Sequence, residues 1–347
     1  MNKDTVRSLP VNEWPIADRT AWELACRPGE RLKRGGRASH MKPITRDDLA
    51  RRYGYFLDHL ARAGRLDPAA PAGTHVTPEN VHRYLAELQA RVSSVTQYGN
   101  IYKLRRAAEL IAPERDLAWL KELEQDLDLA KQPRSKFGRA PLTEVLVSAG
   151  LTLMAEAEAA THLTRLKRSR QFRNGLMLVL LAQCPVRLKN FSSLELGRNF
   201  LEVADRWWIV LTGDETKEKR ADERPVPHIL TNRVNCYVAE YRNLLAGGAE
   251  PSAALWLSGK DGKPMCYSSV ARAIEDTTLL ALGLKVSTHM FRTSAATSAA
   301  LHAGDLPYFA SAILHHTDPK VTHEHYVRAS SISAAQAYAS IIHSYLV

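Results

Sequence analysis

Residues 207–230 read WWIVLTGDETKEKRADERPVPHIL. Aromatic and β-branched residues dominate Trp207–Gly213, and Arg224–Leu230 turns apolar again, so the two ends predict short strands. Between them DETKEKRADE is polar throughout and carries Lys217 and Lys219. The stretch is thus a hairpin with a charged, lysine-bearing tip. It interrupts a chain whose apolar residues otherwise recur at helical spacing. The fold class that follows is mainly α with a small antiparallel sheet.

Upstream, TRDDLARRYGYFLDHLARAGR begins at Thr45, a predicted N-cap with Asp48 three residues on, and puts Leu49, Tyr53, Phe56, Leu57 and Leu60 on one face. Thr77-Pro78 opens a second helix carrying Val81, Tyr84, Leu85 and Leu88. A third runs from about Ser94 to Ala112 before Pro113, and a fourth from Arg115 to Asp128. The segment KQPRSKFGRAP, Lys131–Pro141, combines two prolines, a glycine and four basic residues and reads as an exposed linker. The expected organisation is therefore an N-terminal extension over 1–44, a helical domain over 45–130, a basic linker over 131–141 and a second domain over 142–347. No internal repeat interrupts this plan.

With 347 residues the chain is long enough for two cores, and 45% hydrophobic against 24% charged residues is ordinary for a folded protein. No stretch reaches the length of a membrane span, and the opening MNKDTVRSLPVNEW lacks the apolar centre of a signal peptide, which predicts a cytoplasmic protein. Cys26, Cys184, Cys236 and Cys266 stand far apart without a C-x-x-C, against a zinc ribbon or a disulfide scaffold. A net charge of +10 favours a polyanionic partner, nucleic acid first. The basic residues cluster at Arg27–Arg37, at Lys103, Arg105 and Arg106, at Lys131, Arg134, Lys136 and Arg139, and at Arg165–Arg173. One such run is ordinarily a solvated face; four together suggest a surface for phosphates.

Three stretches carry candidate chemistry. STHMFRTSAATSAALHAG, Ser287–Gly304, places His289 and Arg292 at i and i+3 in the first turn of a helix, where an oxyanion is favoured. LMLVLLAQCPVRLKNFSSLEL, Leu176–Leu196, sets Arg187 in a turn after a buried helix, so its fork is either held for a ligand or tied to a neighbouring carboxylate. HHTDPKVTHEHYVRA, His315–Ala329, packs four histidines and Tyr326 together. A metal site there would draw on His315, His316, His323 and His325, but neither H-E-x-x-H nor cysteine partners accompany them.

In this order, Arg187, the lysine hairpin, His289-x-x-Arg292, His316 and Tyr326, the chain resembles the tyrosine recombinases, which include phage and transposon integrases and Xer-type recombinases. The resemblance implies a two-domain architecture: a helical, SAM-like core-binding domain and a mixed α/β catalytic domain that together clamp the duplex. It implies Arg187, Lys217 (with Lys219 the rival), His289, Arg292 and His316 as catalytic residues and Tyr326 as the nucleophile. From the basic runs and the cationic linker, Lys103, Arg105, Arg106, Arg134, Lys136 and Arg139 are the expected DNA contacts. No metal or other cofactor is implied. The partner is double-stranded DNA carrying recombination sites, on which such proteins assemble as tetramers, alone or with accessory proteins or sister recombinases. The activity implied is cutting and rejoining of DNA through a 3′-phosphotyrosyl intermediate, for integration or excision of mobile DNA. Two alternatives share the motifs: relaxation as by a type IB topoisomerase, and a catalytically impaired DNA-binding regulator.

The residue types suit that chemistry. A phenol with a pKa of about 10 must be favoured as phenolate by nearby cations. Two arginines can hold non-bridging phosphate oxygens and stabilise the pentacoordinate transition state, while a lysine protonates the leaving 5′-oxygen. The chain departs from the family pattern at three points. Asn190 stands where an acid usually follows the first arginine by three residues, so an orienting carboxylate is lost or supplied elsewhere. His315 replaces a glycine, and Tyr326 follows His316 by one residue more than is commonest.

Overall fold

A computed structural model describes residues 6–133, 139–248, 252–302 and 309–314. The chain divides into two compact units, 1–135 and 136–347.

The first unit is helical: α1 (Ile16–Cys26), α2 (Pro43–Arg62), α3 (Pro78–Arg91), α4 (Ser94–Ile111) and α5 (Ala118–Leu129). The apolar faces read from the sequence supply its core, with Tyr53, Phe56, Leu57, Leu60, Val81, Ile101 and Leu104 buried. Trp14 and Trp22, from the region set apart as an extension, pack edge to face in that same core. A buried carboxylate fastens them there. Asp18 accepts from the Tyr53 hydroxyl at 2.9 Å and from the Gly73 amide at 2.6 Å, and burial beside Asp18 raises the Tyr53 phenol well above its ordinary range.

Helix starts differ from expectation in two places. α2 begins at Pro43 with Lys42 as its cap residue, not at Thr45, because proline needs no amide partner in a first turn and Thr45 and Arg46 both donate to the Lys42 carbonyl. α5 begins at Ala118, since the Asp116 side chain accepts from the Ala118 amide at 2.9 Å and ends the preceding turn.

The second unit contains α6 (Thr143–Ala159), α7 (Arg165–Gln183), α8 (Leu188–Ser192), three strands, and then α9 (Thr231–Cys236), which passes through a π-type turn at Tyr237–Tyr241 into α10 (Arg242–Ala246). After these come α11 (Tyr267–Leu282), α12 (Thr288–His302) and α13 (Phe309–Leu314). β1 (Phe200–Val203), β2 (Arg206–Leu211) and β3 (Asp222–Pro225) form one antiparallel sheet in that order, with Leu211 opposite Asp222. The mainly helical class with a small antiparallel sheet is thus what the chain adopts.

The strand β1 was not read from the sequence. It pairs with β2 through Ala204 and Asp205, both at positive φ (49° and 57°), the conformation of a tight hairpin turn. β3 is shorter than the expected Arg224–Leu230: Pro227, which has no amide to donate, leads into a 3-10 turn at His228–Leu230. The sheet's inner face, with Phe200 stacked on Trp207 at 4.9 Å between ring centres, joins a core built on α7 from Phe172 and Leu176–Leu181. α6 and α7 approach closely where Gly150 faces Gly175. A Cβ on either glycine would lie 2.7 Å from the other's carbonyl oxygen.

Candidate active site

α7 is the element that positions Arg187. Its buried apolar run ends at Cys184, whose amide donates to Leu180, and Pro185 cannot continue the helix. Burial pushes the Cys184 thiol up to about 12, so it serves as packing rather than as a nucleophile. Arg187 follows as the N-cap residue of α8, its carbonyl accepting from the amides of Asn190 and Phe191 at 2.9 and 3.0 Å. With its backbone fixed, the side chain is one-third exposed and its Nη2 donates to Glu218 Oε1 at 2.5 Å. Of the two readings left open by the sequence, the carboxylate partner is therefore present, and it comes from the β2–β3 hairpin.

That hairpin is tied into shape by Thr216, which is buried. Its hydroxyl donates to the carbonyls of Gly213 and Arg220, at 3.2 and 2.7 Å, and accepts from the Arg220 amide at 3.1 Å. Lys217 and Lys219 are exposed on either side of Glu218, and Lys219 has a φ of 54°. Lys217 is thereby one residue from the group that holds Arg187.

α12 carries His289, exposed in its first turn, and Arg292, only 7% exposed. Arg292 Nη1 donates to the Pro185 carbonyl at 2.5 Å, two residues before Arg187, and Nη2 donates to the Leu314 carbonyl at 2.6 Å, two residues before His316. Burial, with Arg187 and Arg224 as nearby like charges, lowers the Arg292 guanidinium to about 10 against the opposing influence of Asp222 and Glu218. It remains a cation at neutral pH.

Arg224 and Asp222 were not singled out in the sequence. They are two apart on β3 and so share a face, which is the signal that could have found them. Arg224 Nε and Nη2 bond to the two oxygens of Asp222 at 2.7 and 2.9 Å, and Nη1 donates to the Ile313 carbonyl at 2.8 Å. Arg224 and Arg292 thus hold the last two carbonyls of α13, just ahead of the histidine-rich stretch. Glu218 was missed for another reason: nothing local to the hairpin tip indicates which of its charges turns back toward a residue 31 positions earlier.

The structure brings Arg187, Arg292 and the Lys217 hairpin together, with His289 on the turn that bears Arg292. His316 and Tyr326 lie outside the described residues, as do Arg134 and Lys136 and the four histidines of the metal alternative. Among the described residues no group of three or more His, Cys, Asp or Glu is placed to hold a metal, the four cysteines are free, and no helix is long and apolar enough to cross a membrane. In the first unit, Lys103 pairs with Asp48 at 2.5 Å, and Arg105, only 12% exposed, bridges Glu109 and Glu124. Arg106 contacts the Tyr102 hydroxyl at 3.2 Å, and Arg139 is exposed in a turn of the second unit.

Residues 152–331 match the model of the phage integrase family. Among solved structures the chain is similar to XerA recombinase, with 16% identity over 87% of this chain and 94% of that one and a TM-score of 0.40. It is also similar to XerH site-specific recombinase bound to difH substrate. The post-cleavage complex has 11% identity over 95% and 98% of the two chains with a TM-score of 0.47. The pre-cleavage complex has 12% identity over 92% and 94% with a TM-score of 0.43. No curated protein matches the sequence.

Proposed function

The chain belongs to the phage integrase family of tyrosine-type site-specific DNA recombinases, and from that premise we propose that it exchanges strands at paired sites through a 3′-phosphotyrosyl intermediate, to integrate or excise mobile DNA. Tyr326 is the proposed nucleophile, with Arg187, Lys217, His289, Arg292 and His316 acting on the scissile phosphate. The observation that supports this reading most is the pairing of Arg292 with the Pro185 carbonyl beside Arg187, because it sets two arginines against one another at a cost in burial and repulsion. Such an arrangement is relieved by an anion bound between them.

In the proposed reaction the Tyr326 oxygen attacks the phosphorus and the 5′-oxygen leaves. The arginines stabilise the charge that accumulates on the non-bridging oxygens. Lys217 gives a proton to the leaving oxygen, and His289 and His316 donate bonds or move protons at the phosphate. The phosphotyrosyl bond conserves the energy of the broken linkage, so religation requires no nucleotide cofactor. Double-stranded sites, a tetramer on DNA, and accessory or sister proteins are the proposed partners, in the cytoplasm at the nucleoid. The two units, joined by the basic segment 131–141, are proposed to grip the duplex together.

Two plasmids separate this reading from topoisomerase-like relaxation. One carries two copies of the sequence that the full chain enriches from a random DNA pool; the other carries none. Recombination of the first without relaxation of the second is expected, and equal relaxation of both would contradict site-specific exchange. Lys217 is tested against Lys219 with a 5′-bridging phosphorothioate, whose sulfur leaves without a proton. Lys217→Ala is expected to cleave normal DNA poorly and this substrate well. If Lys219→Ala were rescued in its place, the assignment would be reversed.

A further inference from the structure

Position 190 lacks the acid that would follow the first arginine, yet Arg187 is not without a carboxylate. Asn190 is 6% exposed, and its backbone amide bonds to the Arg187 carbonyl. Glu218 makes the bond to the guanidinium, reaching it from the tip of the β2–β3 hairpin. Resting on the role read above for Arg187, we infer that Glu218 is a positioning residue of the strand-cleavage reaction, supplying from the hairpin the orienting carboxylate that position 190 does not.

Three observations carry this. The contact is a single charge-assisted bond to Nη2, and among the described residues Arg187 Nε and Nη1 have no hydrogen-bond partner, which leaves donors for phosphate oxygens while the carboxylate stays in place. Both groups are sheltered but not sealed, at 32% and 22% exposure, so the pair is stiffer than a surface ion pair and still borders solvent. Finally, the hairpin that presents Glu218 is braced by Thr216 and by Glu215, which accepts from the Thr212 amide and from Arg198 at 3.0 and 2.7 Å. A braced loop transmits position: fixing Glu218 on Arg187 also fixes the adjacent Lys217 relative to that arginine.

The alternative is that the carboxylate occupies the phosphate's place and must be expelled before DNA can be cut. The two differ in sign. The test is single-turnover cleavage by the full chain of a nicked duplex bearing the sequence it enriches from a random pool, with affinity for the intact duplex measured in parallel. Glu218→Gln keeps the side chain's shape and removes its charge. It is expected to lower the cleavage rate about tenfold or more, the worth of one charge-assisted bond, with affinity within about twofold. Asn190→Asp added to Glu218→Gln is expected to recover part of that rate, which a purely structural role for Glu218 would not allow. An unchanged rate in Glu218→Gln would overturn the inference, and so would a faster one, which would make the carboxylate a competitor of phosphate. Wild type that forms no covalent product in this assay would instead overturn the proposed function itself.

Discussion

Arg292 and Arg224 place two guanidinium groups largely out of water, Arg292 held by two backbone carbonyls and Arg224 by the Asp222 carboxylate and a carbonyl. For Arg224 the consequence is direct. Asp222 is 8% exposed and neutralises it through two bonds, so Asp222→Ala leaves a buried cation unpaired and is expected to cost about 3–5 kcal/mol in urea unfolding. Replacing both members by apolar residues of similar volume should cost far less, and an equal loss in the double variant would contradict the argument. The lowered Arg292 pKa of about 10 lies below that of the group in the unfolded chain, so the unfolded state binds more protons between that value and the ordinary arginine range. The penalty is therefore fully present at neutral pH and fades only as pH rises above about 10, well outside any working range. Arg187, His289 and Arg292 were legible in the sequence because each sits in a local signature: a turn after an apolar helix, or the first turn of one. Glu218, Asp222 and Arg224 were hidden because their meaning lies in partners that only the folded chain brings near.

Among the elements, the crossing of α6 and α7 decides how firmly Arg187 is held, since α7 leads directly into its turn. In an isolated helix Gly175→Ala should add about 1 kcal/mol of helix stability. Here the new methyl would meet the Gly150 carbonyl at 2.7 Å and the Met154 side chain at 2.9 Å, forcing the helices apart. The expected net effect in urea unfolding is a loss of about 1–3 kcal/mol, opposite in sign to propensity. A stabilised variant would show that the helices are not in close contact. The helix faces of the first unit were readable because apolar spacing is a local property. The strand β1 was not, since four residues, FLEV, carry too little pattern to be told from a loop, and its pairing depends on two left-handed turn residues that are not glycine. Proline also moved boundaries: Pro43 drew α2 two residues ahead of its expected cap, and Pro227 cut β3 short.

At the scale of the whole molecule, the net charge of +10 is unevenly available. Lys103 and Arg105 are ion-paired within the first unit, and Lys33 pairs with Glu30 at 3.5 Å, whereas Arg31 and Arg34 are exposed. DNA affinity is expected to fall linearly with the logarithm of salt concentration, with a slope smaller than a count of all basic residues would give, because paired cations release fewer counterions. A nearly flat plot would contradict phosphate binding altogether. Each unit buries its own apolar core, so residues 140–347 alone are expected to fold and keep weak DNA affinity while losing most site-specific recombination. Full recombination by that fragment would show that the first unit takes no part in gripping DNA. The central claim is that Tyr326 attacks phosphate with arginines, rather than a metal, stabilising the charge. The most direct test incubates the full chain, in excess chelator, with a nicked duplex carrying its enriched site, and looks for protein joined covalently to a 3′ DNA end. Wild type is expected to form that adduct, and Tyr326→Phe to bind the same DNA and form none. An adduct persisting in Tyr326→Phe would move the nucleophile to Tyr308 or Tyr338, and cleavage abolished by the chelator would contradict the account.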